Sequence, residues 1–524
     1  MPGVSLDETH LLWSWPPPPD GSLLSLQRIR RMMGDAFETL PDFDGPFWSA
    51  ARTRHSRVHL DALVALGNDS EKTGSDEDAF QEAVRFASNT TRTKLALSLS
   101  GTAPRYKKLA AGQLKGGEPV VFHDKYPEVS TLLVTHAATA DDSMGLVLDD
   151  VLTPQMFQCL AELESHWQGP PRPRGVRRIL SRLDKAAEHL WTEPLIAAVR
   201  SASGIEAFTD FPLGLLTMPG DTSPLSTRLA ISYRSVNPLT RALQFELNPR
   251  TTRDLSKGLG VLIAECISDR DPVGRLSRLA WRAVDKEMSA GGFPVEVSIN
   301  ETPSRAALRA AIAETQPDIL VLSAHGFVVP ESNVAGVVIG EEMSLGDDLG
   351  PMPPLVILSA CHTSPRGSGF VNVGDLLIRA GADAVLSTLV PVDVRHNAQL
   401  MARFFRYLAL VVSGDSGYSM QTVMDVWHEV QNLNVIIDLT YGNNRLAEWA
   451  FSGSPEASPV GRFMAGPHGL RRGHLYADAE NRLIAIATEM GDGQRVRSWL
   501  NSPGYLPESL MYTMLGKPQN LLLR

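Results

Sequence analysis

Short runs of apolar residues alternate along the middle of the chain with longer segments whose apolar residues recur at helical spacing. The runs have the length of strands buried on both faces, and they occupy residues 258–264, 295–299, 319–323, 355–359 and 384–389. Helical patterns separate them at residues 273–288, 303–313 and 373–380, with Asp271 and Thr302 as predicted N-caps. Apolar strands separated by helices predict an α/β fold, with a mostly parallel sheet and helices on both faces.

The pattern on either side of this region predicts five further segments. Residues 1–45 form an irregular, Pro-rich lead-in, and residues 46–168 a smaller α/β region with strands at 95–99, 119–122, 131–134 and 146–148 and helices at 78–87 and 154–166. Residues 169–177 contain Gly-Pro-Pro-Arg-Pro-Arg-Gly, which predicts a linker. One long helix is predicted at 178–202. Residues 413–524 form a C-terminal extension with a helix at 420–433, packing on the domain 178–412.

Composition narrows the function classes. The 524 residues carry a net charge of −10 without a basic stripe, which argues against direct binding of nucleic acid. The three cysteines are far apart and form no CxxC pair, so disulfides and structural zinc are not expected. A reducing compartment suits free cysteines, and we therefore expect a cytoplasmic location. No targeting segment or membrane-length apolar run is visible, so no membrane partner is expected.

Two predicted strands end in a reactive side chain. The strand at 319–323 leads into His325 and Gly326, and the strand at 355–359 leads into Cys361. Neighbouring parallel strands bring such residues to one edge of a sheet, where a thiol and an imidazole can exchange a proton. The N–H groups of Gly326 and Cys361 can together form an oxyanion hole. Taken singly, a free cysteine is more often a buried core residue, which is the interpretation given to Cys159 and Cys266.

These segments resemble a known family. The sequences ILVLSAHG (319–326), LVILSACHTSPRG (355–367) and GDLLIRAGADAVLSTLVPVD (374–393) are similar to the CHAT peptidase domain, a caspase-like cysteine protease family related to separase and gingipain. The resemblance extends over residues 178–412 and implies a caspase-like fold. It implies His325 as base and acid, Cys361 as nucleophile and Gly326 as an oxyanion donor. His362, next to the nucleophile, is expected on the surface or in packing.

The resemblance also bears on specificity. The family has a Leu-Trp-Pro-Val-Asp-Asp-like stretch with acids near the pocket for the substrate side chain, and this chain has LVPVDV ending at Val394. The Trp and the second Asp are absent, and Asp393 remains. As a buried carboxylate, Asp393 would favour cleavage after Arg, or less strongly after Lys. The alternative is that Asp393 caps the helix that begins near Arg395, or pairs with Arg395 itself.

The sequence therefore predicts an intracellular cysteine endopeptidase with a specific protein substrate and no cofactor or metal. A regulatory protein or activating ligand is expected to control it in a bacterial defence or cell-death pathway, as the family resemblance implies. Residues 1–168 are expected to regulate without taking part in the chemistry, so that their removal leaves Cys361 reactive. A catalytically silent CHAT-fold module that binds peptides, and a small-molecule hydrolase or transferase, are the alternatives.

Overall fold

The structure is a computed structural model that describes residues 94–101, 133–134, 137, 143–236, 252–329, 334–360, 363–366, 373–414, 419–454, 456–465 and 469–524. The strands are β1 (Leu95–Gly101), β2 (Met144–Leu152), β3 (Gly204–Phe208), β4 (Ala230–Arg234), β5 (Arg253–Asp254), β6 (Leu259–Glu265), β7 (Val295–Glu301), β8 (Ile319–Ser323), β9 (His325–Val329), β10 (Val334–Ile339), β11 (Glu342–Ser344), β12 (Leu355–Ser359), β13 (Ala384–Thr388), β14 (Tyr512–Gly516) and β15 (Leu521–Leu522).

The α-helices are α1 (Pro154–Trp167), α2 (Pro173–Ala186), α3 (Glu193–Ser201), α4 (Pro272–Ala290), α5 (Arg305–Thr315), α6 (Val373–Arg379), α7 (Val394–Val412), α8 (Val423–Leu433), α9 (Val435–Thr440), α10 (Asn444–Ala450), α11 (Pro459–Ala465), α12 (Leu475–Glu489) and α13 (Gly493–Asn501). Among the helices of the described ranges, none is both long enough and apolar enough to cross a membrane.

The chain divides into two compact units. Unit 1 consists of Met1–Pro154, Glu188–Phe211 and Tyr233–Pro249, and unit 2 consists of Gln155–Ala187, Pro212–Ser232 and Arg250–Arg524. Nearly all of α1 and the whole of α2 therefore belong to unit 2, although the sequence placed them on either side of a linker at 169–177. The domain boundaries remain predictions, but the helix before residue 168 is part of the larger unit.

Unit 1 contains three parallel strands in the order β2, β1, β3. Leu95 of β1 lies opposite Met144 on one side and Ile205 on the other. The predicted strands at 95–99 and 146–148 are thus present, because both are apolar runs of strand length. Leu133 and Val134 are helical, so the strand predicted at 131–134 is wrong there. The predicted elements at 78–87 and 119–122 lie outside the described residues.

Unit 2 is built on a mostly parallel sheet whose strand order is β14, β13, β12, β8, β6, β7. Leu355 of β12 is in register with Ile319 of β8 and with Ala384 of β13, and among the described pairings of these six strands only that of β14 with β13 is antiparallel. All five strands predicted for the central region are present. The α/β class and the mostly parallel sheet are confirmed.

Helices cover both faces of that sheet. On one face, the side chains of alternate strand residues pack with α4, α7 and α8. There the rings of Phe404 and Trp427 pack edge to face, with 5.6 Å between their centroids. Successive strand residues point to opposite faces, so Leu320 and Leu358, also buried, lie on the other side with α5 and α6. Each fully buried aromatic or aliphatic side chain contributes roughly 1.5–3 kcal/mol of hydrophobic free energy, which holds the strand ends in a fixed register.

Two helix starts near the predicted linker differ from the sequence prediction. Helix α2 begins at Pro173, inside the predicted linker, because proline is tolerated in the first turn of a helix. The long helix predicted at 178–202 is interrupted, and α3 starts after Thr192, whose hydroxyl accepts a hydrogen bond from the Leu195 N–H (3.4 Å). A polar cap followed by Pro194 starts a new helix even where the apolar spacing is continuous.

Helix α5 is capped by Ser304 rather than by Thr302. The Ser304 hydroxyl accepts from the Ala307 N–H at 3.1 Å, whereas the buried Thr302 hydroxyl lies 3.1 Å from the Cys266 sulfur. Both residues are of the type that caps helices, and the sequence pattern does not distinguish which of them the chain uses.

The C-terminal region is built into the sheet of unit 2. Strand β14 pairs with β13 from Ala384 opposite Gly516 to Thr388 opposite Tyr512, and β15 pairs with β5. Helix α8 covers Val423–Leu433, within the segment predicted at 420–433. The extension therefore supplies a strand and a helix to the core, in addition to packing on it.

Candidate active site

The two strands that lead to the candidate residues are direct neighbours. β8 and β12 are parallel, and their last residues, Ser323 and Ser359, are in register. His325 follows Ser323 by two residues and Cys361 follows Ser359 by the same number. The chain thus leaves both strands at the same edge of the sheet, where parallel α/β proteins place their reactive groups.

Cys361 and His362 themselves lie outside the described residues. The residue before them, Ala360, is described and is buried with 3% exposure. The Ala324 N–H donates to the Ser359 carbonyl at 3.4 Å, which ties the residue before His325 to the end of β12.

His325 begins β9, the edge strand of a small antiparallel sheet in the order β11, β10, β9. Its side chain is 46% exposed, and its Nε2 lies 3.0 Å from Oδ2 of Asp271. An ionised carboxylate only accepts hydrogen bonds, so Nε2 carries the proton in this pair. In the neutral ring, Nδ1 is then the unprotonated nitrogen and can accept a proton from a thiol.

Asp271 is held in place by the helix that it caps. Its Oδ1 accepts from the Val273 N–H at 2.7 Å, at the start of α4. This backbone hydrogen bond, and secondly the contact with His325, lower the pKa of Asp271 below its ordinary value. Asp271 thus stays ionised, with one oxygen on the helix and the other on the imidazole.

The sequence identified Asp271 only as an N-cap and missed its contact with His325. A signal was available, because β6 is parallel to β8 and Glu265 at its end is opposite Ser323. The loop from β6 to α4 therefore starts at the same edge of the sheet as His325. A carboxylate in the loop after a neighbouring strand is a candidate partner for a histidine at that edge.

Gly326, the predicted oxyanion donor, follows His325 in β9 and is paired with Val337 of β10. The pairing fixes its backbone within a sheet, beside the candidate base. Having no side chain, it leaves room for a substrate carbonyl to approach its N–H.

The structure describes residues 363–366 of the segment after the candidate nucleophile, and these four residues are here called the nucleophile loop. Hydrogen bonds to β13 fasten this loop and Ala360: the Thr388 hydroxyl donates to the Ala360 carbonyl (2.9 Å), and the Ser364 N–H donates to the Thr388 carbonyl (2.9 Å). The Ser364 hydroxyl also donates to Ser387 Oγ at 2.7 Å. Thr388, Ser364 and Ser387 are fully buried, so these bonds are shielded from water and restrict the loop.

Asp393 is the N-cap of α7, as the alternative interpretation predicted. Its Oδ1 accepts from the N–H groups of Arg395 (2.9 Å) and His396 (3.1 Å). The expectation that its carboxylate is buried is wrong, because Asp393 is exposed. Its own N–H donates to Oε1 of Glu508 at 3.0 Å, which connects the start of α7 to the C-terminal region.

A buried ionic cluster lies directly behind Asp393. Nε2 of His396 is 3.2 Å from Asp438 and its Nδ1 is 3.1 Å from Glu508, and both acids are fully buried. Burial alone lowers the pKa of His396, but the two carboxylates outweigh it and raise the pKa to about 10. The Tyr476 hydroxyl donates to Oδ2 of Asp438 at 2.6 Å. The cluster thus carries a protonated histidine that binds α7 to α9 and to the segment before β14.

The two other cysteines are buried away from solvent. Cys159 is 1% exposed and Cys266 is 3% exposed. Burial raises the pKa of both thiols, that of Cys266 to about 12, so neither is an activated nucleophile at neutral pH. Within the described part of the chain, no group of three or more His, Cys, Asp or Glu residues is arranged to hold a metal ion.

Comparison with known families identifies the segment that contains the ends of β8 and β12. The family model of the CHAT domain matches residues 207–417. This segment is a CHAT domain. His325, Gly326, Cys361 and Asp393 all lie within it, and the resemblance of the motifs to the CHAT domain is confirmed for residues 207–417. The match begins later than the predicted boundary at residue 178 and leaves α1 and α2 outside the matched segment.

Two solved structures show a distant likeness. They are the separase–securin complexes of Saccharomyces cerevisiae at 2.6 and 3.0 angstrom resolution, with TM-scores of 0.30 and 0.28 and sequence identities of 11% and 12%. Each likeness covers 74% of this chain, which spans about a quarter (26%) of the length of the matched chain in the complex. No curated protein matches the chain.

Proposed function

We propose that this chain is a cysteine endopeptidase of the CHAT type, with Cys361 as nucleophile and His325 as general base and acid. The observation that carries the proposal is the matched register of β8 and β12, which end at Ser323 and Ser359 and lead to these two residues in equal numbers of steps. The ionised Asp271 on His325 adds a second feature of a base prepared for proton transfer.

The reaction follows from this arrangement. Nδ1 of His325 takes the proton of the Cys361 thiol, and the sulfur bonds to the peptide carbonyl carbon. The N–H groups of Gly326 and Cys361 stabilise the oxyanion. The carbon–nitrogen bond then breaks, and His325 returns its proton to the leaving amine. Water attacks the thioester, gives a proton to His325, and the released sulfur takes that proton back.

Asp271 stabilises the charged intermediate state of this cycle. When Nδ1 takes the thiol proton, the imidazole of His325 becomes a cation whose Nε2–H faces the carboxylate at 3.0 Å. The interaction between a cation and a carboxylate is stronger than that between a neutral ring and the same carboxylate. The pair therefore favours the thiolate form of Cys361 over the thiol form.

We propose a protein substrate cut after a basic residue, with Asp393 as the recognition group. Because Oδ1 of Asp393 serves the N-terminus of α7, a guanidinium would meet mainly Oδ2, in a single rather than a two-point contact. An exposed ion pair of this kind contributes little, so the preference for Arg is about tenfold at most. This is weaker than the selectivity expected of a buried acid.

Control by a regulatory protein or activating ligand, in a bacterial defence or cell-death pathway and in the cytoplasm, is part of the same proposal. It is supported by the family resemblance of the motifs. Removal or addition of the activator would change the rate of peptide cleavage by the intact chain.

The proposal is tested by incubating the full chain with a denatured protein library and identifying new peptide ends by mass spectrometry. The wild-type chain is expected to produce ends that Cys361→Ala and His325→Ala do not produce, whereas Cys266→Ala produces them normally. If the wild-type chain and Cys361→Ala give the same ends, both alone and with a cell extract added as the source of an activator, the peptidase proposal is wrong. Retention of peptides without cleavage would favour the binding module instead.

A further inference from the structure

We propose that Glu164, which lies outside the CHAT domain, is a positioning residue for the nucleophile loop. Its Oε1 accepts a hydrogen bond of 2.7 Å from the N–H of Arg366, five residues after Cys361. The inference rests on the proposed function, because it concerns the loop that follows the proposed nucleophile. It assigns to α1 a direct effect on the reactivity of that residue.

Burial makes this hydrogen bond consequential. Glu164 is 8% exposed and Arg366 is 5% exposed. A buried backbone N–H that loses its acceptor costs roughly 1–3 kcal/mol, so the loop would shift to find another partner. A carboxylate acceptor is also stronger than a neutral one, which makes the bond a firm restraint on the backbone at residue 366.

The position of Glu164 on its helix points to the same role. The other buried residues of α1 recur at helical spacing along one face and are Met156, Phe157, Cys159, Leu160, Leu163 and Trp167. Glu164 lies on this otherwise apolar face. A carboxylate is costly in such a place unless it is hydrogen-bonded, and the Arg366 N–H supplies the bond.

Arg366 is held a second time through its side chain, whose Nη1 lies 3.5 Å from Asp375 of α6. Thr388 holds the chain on both sides of Cys361, through the Ala360 carbonyl and the Ser364 N–H. Three restraints thus act close to Cys361 in the sequence, at Ala360, Ser364 and Arg366. Because Ser364 lies between Cys361 and Arg366, we expect release of the Arg366 N–H to loosen the restraint at Ser364 and so to displace Cys361, where a misplacement of about 1 Å can cost about a hundredfold in rate.

This changes the expectation for the N-terminal region. A deletion of residues 1–168 removes Glu164 together with the whole apolar face of α1. We now expect that deletion to lower the reactivity of Cys361, although the sequence predicted that the thiol would stay reactive. The N-terminal region thus contains a helix that supports the chemistry.

The test compares variants at Glu164 with a matched control on the same helix. Glu164→Leu removes the acceptor, Glu164→Gln keeps an uncharged acceptor, and Glu164→Asp draws it back by one methylene. The control is Glu162→Leu, because Glu162 lies on the outer side of α1, where its Oε2 forms an ion pair with Nη1 of Arg182 at 2.5 Å. The rate of Cys361 alkylation by iodoacetamide is followed by peptide mass spectrometry as a function of pH. Hydrogen exchange of the peptide 363–366 reports the Arg366 amide directly.

We expect Glu164→Leu to slow Cys361 alkylation by about tenfold or more and to speed exchange of the Arg366 amide, while Glu164→Gln stays within about threefold of wild type. If Glu164→Leu does not fold, Glu164→Asp is expected to show intermediate slowing. Wild-type rates in Glu164→Leu or Glu164→Asp, or no rescue by Glu164→Gln, would overturn the inference. Failure of the proposed function gives a different result, because wild-type Cys361 would then react no faster than an ordinary thiol. In that case, unchanged exchange of the Arg366 amide in Glu164→Leu would still refute the role of Glu164.

Discussion

The buried cluster around His396 makes a prediction about stability and pH. Replacement of His396 by Gln leaves Asp438 and Glu508 buried without their cation. The folded protein raises the pKa of His396 from 6.5 to about 10, and each pKa unit corresponds to about 1.4 kcal/mol, so the shift represents at most about 5 kcal/mol. Loss of one partner from a buried ion pair costs about 3–5 kcal/mol, which is of the same size.

The sign of the pH dependence follows from the direction of the shift. Because the pKa is higher in the folded chain, the stabilisation by the His396 proton is complete below pH 6.5 and is lost as the pH rises through about 10. Between pH 7 and 9 the free energy of unfolding should fall by up to about 1.4 kcal/mol per pH unit from this group alone. Burial also raises the pKa of Glu508, against the opposing effect of His396, so both groups favour proton uptake on folding.

The assay is urea unfolding at pH 6, 7, 8 and 9, followed by tryptophan fluorescence. A matched control is His428→Gln, because His428 is half-buried and its pKa is lowered to about 4, chiefly by desolvation. The stability that His428 contributes is present above pH 6.5 and is lost as the pH falls through 4, so this variant should keep the wild-type slope between pH 7 and 9. His396→Gln should lose most of that slope. An equal slope in wild type and His396→Gln would refute the reasoning.

Four further outcomes are expected in alkylation and cleavage assays. Asp271→Asn should slow Cys361 alkylation about tenfold at pH 6 and shift the rise of the alkylation rate to higher pH, since the carboxylate stabilises the His325 imidazolium and so the Cys361 thiolate. An unchanged dependence of the rate on pH would exclude this role. Thr388→Val should slow alkylation several-fold and cost about 1 kcal/mol of stability, since it releases the Ala360 carbonyl; chemical denaturation measures the second effect. Cys266→Ala should leave alkylation unchanged and cost roughly 1 kcal/mol. Asp393→Asn should keep the helix cap, because Asn caps as well as Asp, so an unaltered preference for Arg in a peptide library would remove Asp393 from substrate recognition.

Much of the sheet in unit 2 could be predicted because buried parallel strands have a distinctive sequence pattern. Runs such as ILVLS and LVILS are apolar on both faces and of strand length, and helices with clear caps separate them. Strand β14 was missed, since its sequence YTMLG is short and it joins β13 from more than a hundred residues away. The sheet β9 to β11 was missed because it follows β8 directly and its strands lack a separating helix.

The candidate site shows the same limit. His325 and Cys361 stand out because each follows a recognisable strand. Asp271 has a complete local explanation as an N-cap, so the sequence gives no reason to look for a second partner. Glu164 is an acid on an apolar helix face, which is a visible anomaly, but its partner is the backbone of a residue some two hundred positions later.

The central claim is that Cys361 is a nucleophile activated by His325, and the pH dependence of its alkylation tests this most directly. Wild-type protein and His325→Ala are treated with iodoacetamide between pH 5 and 9, and the labelling of all three cysteines is quantified by mass spectrometry. Cys361 is expected to react rapidly already near pH 6, below the ordinary thiol pKa of about 8.5, and to lose this reactivity in His325→Ala. Cys159 and Cys266 should remain unlabelled in the folded chain. If Cys361 titrates as an ordinary thiol, or reacts equally in both proteins, the account is contradicted.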